Sequence, residues 1–77
     1  MLTTYQEVRG RIYTLAYERD LRIDWAETTP LFRLLLLYDH RQVVVARASV
    51  PVKGISVRAL NDLQADLEHV FGKDWLQ

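Results

Sequence analysis

Two histidines, His40 and His69, are the only side chains of this 77-residue chain whose ordinary pKa lies near neutrality. Cysteine is absent, which removes disulfides, thiolate metal sites and cysteine nucleophiles. His69 follows Asp66 by three positions and Asp62 by seven, so a helix would bring an imidazole and two carboxylates onto one side. Such a trio on a polar helix face is ordinary solvated surface more often than a metal site. Neither histidine has a nucleophile beside it, and Ser49 and Ser56 suit a strand position and a helix cap. Gly10, Gly54 and Gly72 stand apart, so no glycine-rich phosphate loop is present. The sequence thus implies no catalytic residue, no cofactor and no metal, and the expected protein is not an enzyme.

Charge points to partners more than to chemistry. Ten basic residues balance ten acidic ones, but unevenly along the chain. Residues 31–58 hold Arg33, Arg41, Arg47, Lys53 and Arg58 against Asp39 alone, whereas residues 59–77 hold Lys73 against Asp62, Asp66, Glu68 and Asp74. A basic central region is one route to nucleic acid. Eight of the ten basic residues are arginine, a bias that fits a GC-rich genome. The opening Met-Leu-Thr-Thr-Tyr lacks the basic-then-apolar order of a secretory signal. The longest apolar runs, Leu34–Leu37 and Val43–Ala46, fall far short of the roughly 20 residues that span a bilayer. The expectation is a cytoplasmic protein without a membrane partner.

The elements that must position these residues are legible. Thr4 and Glu7 have capping-box spacing, and Val8, Ile12, Leu15 and Arg19 follow at helical steps, which predicts a helix over about 4–19. Leu21, Ile23 and Trp25 then alternate with Arg22, Asp24 and Ala26, the rhythm of a half-buried strand, until Thr28, Thr29 and Pro30 break it. Residues 31–38 and 42–50 are two apolar, β-favouring runs joined by Asp39, His40 and Arg41, a hairpin. Ser56 caps a final helix over about 56–71, with Ile55 and Leu60 in staple positions and Gly72 placed to end it in a left-handed conformation. Trp75 and Leu76 are expected to fold back over the core. The fold class is α+β, in the order α-β-β-β-α, with a three-stranded antiparallel sheet and two helices on one face. The whole chain forms a single small domain.

That element order is similar to the order of the double-stranded RNA-binding domain family. The family grips phosphates with lysines at the start of its last helix. Here the same region reads Ser-Val-Arg-Ala-Leu-Asn-Asp-Leu-Gln-Ala-Asp, whose two aspartates repel a phosphate backbone. The resemblance therefore extends to order alone and carries over no functional residue.

One feature exceeds what the fold requires. A sheet covered on one side alternates apolar and polar residues. In the 31–38 run one parity gives Phe32, Leu34, Leu36 and Tyr38, and the other gives Leu31, Arg33, Leu35 and Leu37. Two helices bury only one of these sets. The other predicts an apolar face for a second copy of the chain, with two alternatives: a different protein, or cover by Trp75, Leu76 and the amino terminus. With the hairpin register, and hence the exposed face, left open by the sequence, the expected interface is Arg33, Leu35, Leu37, Val43, Val45 and Arg47, in a homodimer. The alternative expectation is a nucleic-acid surface built from Arg33, Arg41, Arg47, Lys53 and Arg58, a basic region that the neutral total conceals and that the aspartates of the last helix oppose. A candidate secondary surface lies at Gly10, Tyr13 and Tyr17, with the alternative that the tyrosines merely flank the core and keep their hydroxyls in water. There a mid-helix glycine, costing about 1 kcal/mol against alanine, marks close approach by another segment.

Overall fold

The computed structural model describes residues 2–77. Helix α1 spans Tyr5–Glu18, strands β1, β2 and β3 span Arg22–Thr28, Phe32–Tyr38 and Val44–Pro51, and helix α2 spans Val57–Phe71. The sheet is antiparallel in the order β1-β2-β3, so β2 is central.

Each boundary has a local cause. The Thr4 hydroxyl accepts from the Glu7 N–H at 3.2 Å, and the Glu7 carboxylate accepts from the Thr4 N–H at 3.2 Å, closing the capping box that starts α1. The helix stops where Asp20 takes φ 55°, with the Leu21 N–H returning to the Ala16 carbonyl at 2.9 Å. The Ser56 hydroxyl accepts from the Ala59 N–H at 3.0 Å and caps α2. Gly72 ends α2 at φ 93° and ψ 163°. This corrects the expected left-handed turn: φ is positive, but ψ is extended, a region open essentially to glycine alone. The chain thereby turns back toward the core instead of coiling on. Four successive leucines favour helix by propensity, yet Leu34–Leu37 run as strand because all four pair with β3 and Leu35, Leu36 and Leu37 pair with β1 as well.

The core lies between the sheet and the helices. Val8, Ile12 and Ala16 of α1 and Leu60, Leu63, Leu67 and Phe71 of α2 are buried with Leu35, Leu37, Ala46, Ala48 and Val50 of the sheet. Small Ala46 and Ala48 let α2 settle on β3, its main contact. Trp75 and Leu76 are buried in the same cluster, as expected of a returning tail. The Trp75 indole donates to the Gln64 carbonyl at 2.9 Å, Arg11 of α1 donates to the Trp75 carbonyl at 2.8 Å, and the Leu2 N–H donates to the Leu76 carbonyl at 2.9 Å. Arg19 donates to the carbonyls of Val70 at 3.0 Å and Phe71 at 3.1 Å, satisfying the end of α2 from the end of α1. No helix among the described residues is long and apolar enough to cross a membrane.

Candidate interaction face

Residues opposite one another on neighbouring strands point to the same side of a sheet, so register decides which face each side chain joins. Leu37 pairs with Ala46 and Leu35 with Ala48; on the other side Ile23 pairs with Leu37 and Trp25 with Leu35. These rows face the helices. Between them run Arg22–Tyr38–Val44, Asp24–Leu36–Arg47 and Leu34–Ser49, with Phe32 opposite Pro51 at the far end. Those rows form the opposite face. Phe32 is exposed, Leu34, Leu36 and Tyr38 are half-buried, and none of the four joins the core cluster.

The expected interface is therefore corrected. Leu35 and Leu37 are completely buried beneath the helices and cannot meet a partner. Arg33 also points to the helix side. It lies at the sheet's end, where its guanidinium donates to the Tyr5 hydroxyl at 3.0 Å and stacks 5.2 Å from the Tyr5 ring centre. Its polarity reflects a long side chain reaching the rim, so it marks the wrong face. Arg47 does lie on the uncovered face, and Val43 and Val45 are exposed near the hairpin end of β3. The expected grouping mixed two faces because the hairpin carries an extra residue. Between the Leu37–Ala46 and Tyr38–Val44 pairs the register slips by one at Val45, a bulge that puts odd positions of β2 opposite even positions of β3. The residues that sequence reasoning missed are Phe32, Leu34, Leu36 and Tyr38. The usable signal was the polar parity of β3: Arg47 and Ser49 mark its open side, as Arg22 and Asp24 mark that of β1.

Intramolecular cover is also overturned, since Leu2, Trp75 and Leu76 pack on the helix side. The uncovered face has a polar rim. Arg22 stacks 4.8 Å over the Tyr38 ring, and Asp24 accepts from the Trp25 N–H at 2.9 Å. The outer edge of β3 is partly closed by His69, whose Nε2 lies 3.3 Å from the Val45 carbonyl, an arrangement that calls for the Nε2–H tautomer. That contact also gives His69 a structural use. Among the described residues no cluster of acidic or histidine side chains is arranged to hold a metal ion.

The basic residues do not converge. Arg47 lies on the open face, Arg33 on the helix side, Arg41 in the hairpin turn, Lys53 in the loop before α2 and Arg58 in the first turn of α2. The secondary surface fares differently residue by residue. A Cβ on Gly10 would meet nothing within 4 Å, so no segment among the described residues makes the close approach expected there. Tyr13 receives the Trp25 indole N–H at 3.0 Å and the Arg9 guanidinium at 3.4 Å, leaving Tyr17 as the bare ring, 86% exposed, beside an open groove with Thr14 and Glu18. Compared with protein-family models, curated proteins and solved structures, the chain has no match.

Proposed function

We propose that this protein is a non-enzymatic interaction module that self-associates through the open face of its sheet, with Phe32, Leu34, Leu36 and Tyr38 at the centre. The observation that carries this reading is a central strand with large apolar side chains on both faces, of which helices cover one. Fully covering an exposed leucine is worth about 1.5–3 kcal/mol, and completing the cover of half-buried Leu34 and Leu36 by a second layer gains a part of that each. A layer of the same composition supplies it, as in any two-sheet sandwich. Three strands about 4.8 Å apart and about 23 Å long present a footprint of roughly 300 Å² per copy, about 600 Å² in all, below the roughly 1,000 Å² of a stable interface and in the range of weak, transient association. The dimer should accordingly be weak and form only toward high micromolar concentration.

Leu36→Glu tests the reading against its neighbour in sequence. The Leu36→Glu variant should keep its circular dichroism and lose the dimer, because the side chain points away from the core. Leu35→Ala should instead lower stability by about 2–5 kcal/mol, since it opens a cavity under the helices. A Leu36→Glu protein that dimerises like the parent would refute the face. A surface for single-stranded nucleic acid, with Phe32 and Tyr38 stacking bases beside Arg22 and Arg47, would show itself differently: salt-sensitive retention on heparin that Leu36→Glu leaves largely intact.

A further inference from the structure

Resting on that reading, we infer that the two copies stack with their β2 strands parallel, about a two-fold axis that runs along the strands, so that Asp24 of each copy meets the partner's Arg47. The inference comes from one row of the open face. Asp24, Leu36 and Arg47 lie side by side across β1, β2 and β3, an acid at one edge, a leucine at the centre and a base at the other edge. Among the described residues the sole ion pair joins Arg19 to Glu18, so neither Asp24 nor Arg47 has a charge partner among them.

Face-to-face stacking of identical sheets about a two-fold axis allows two simple orientations. An axis along the strands exchanges left and right. Leu36 then faces the partner's Leu36, and both Asp24–Arg47 contacts form across the interface. An axis across the strands keeps left and right. It sets Asp24 against Asp24 and Arg47 against Arg47, two like-charge contacts at the rim of an apolar layer. Charge complementarity of this kind sets orientation more than affinity. The same axis places Tyr38 against Tyr38 and Leu34 against Leu34, so the apolar centre remains continuous in the favoured orientation. Aligned sheets cross at about 30°, which preserves pairing best in a row near the middle of the face, where this one lies.

Charge exchange tests the orientation. Asp24→Arg and Arg47→Glu should each weaken dimerisation about tenfold or more, and the double variant should return to within about threefold of the parent. A cross-link supplies a readout independent of affinity, since the chain has no cysteine. With a short bis-maleimide, a mixture of Asp24→Cys and Arg47→Cys proteins should join as a heterodimer, while each variant alone joins poorly. Self-linking of each variant, or single charge variants that dimerise like the parent, would overturn the orientation. Loss of the dimer on Leu36→Glu without any charge effect would leave the face standing and remove the axis. A parent that is monomeric throughout would remove both.

Discussion

At the residue scale, the two helix-associated glycines make opposite demands. Gly10 lies inside α1 and a Cβ there meets only open space. Gly10→Ala should therefore stabilise the protein by about 1 kcal/mol, through helix propensity alone. A Cβ on Gly72 also meets no atom within 4 Å, yet φ 93° and ψ 163° deny the conformation to other residues. Gly72→Ala should cost about 1–3 kcal/mol and loosen the returning Trp75–Leu76 segment. Thermal melts of the two variants should move in opposite directions, and a destabilising Gly10→Ala would mean that something outside this chain lies against α1. Glu7 adds a pH dependence. The Thr4 hydroxyl first, and then the backbone N–H groups of Thr4 and Thr3, hold its carboxyl below the ordinary carboxylate range. A lowered folded pKa stabilises the fold above the unfolded value, and that stability is lost as pH falls through the folded value. Acid titration should show this loss in the parent below the ordinary carboxylate range, and Glu7→Gln should flatten that part of the curve.

At the scale of elements, the β2–β3 hairpin decides which residues meet solvent. The Asp39 carboxylate accepts from the N–H groups of Arg41 at 2.8 Å and Val43 at 3.1 Å, building the turn with its side chain. Gln42 sits at φ 64°, where glycine is the easier residue. Gln42→Gly should stabilise the hairpin by about 0.5–1 kcal/mol with its register unchanged, seen as a higher melting temperature and the same cross-strand NMR contacts. This turn also explains what was legible beforehand. Both helices, their N-terminal caps and the three strands followed from local patterns: a capping box at Thr4, alternation from Leu21 to Trp25, and a cap at Ser56. The α-β-β-β-α order and the excess of apolar residues on β2 followed as well. The face did not. Assigning it required knowing that Val45 is an extra residue, and a one-residue slip exchanges the faces of a strand. Arg33 compounded the error, because an arginine at the end of a strand reaches solvent from either side.

At the scale of the molecule, the dimensions of 35 × 26 × 18 Å fit two layers, one of sheet and one of helices with the Trp75–Leu76 tail. Nothing among the described residues forms a third. A bare β2 would also be hazardous, since its leucines, together with Val43, Val44 and Val45 on the neighbouring edge strand, make a segment prone to uncontrolled strand pairing. The bulge at Val45 and the His69 contact blunt that edge. The proposed self-association through the open face would account for the composition of β2, the acid–leucine–base row and the position of the tail together. The most direct test is absolute mass by light scattering across a dilution series spanning the micromolar range. A mass approaching twice 9.0 kDa at high concentration, falling toward 9.0 kDa on dilution, is the expected result. A constant 9.0 kDa at every concentration would contradict the account.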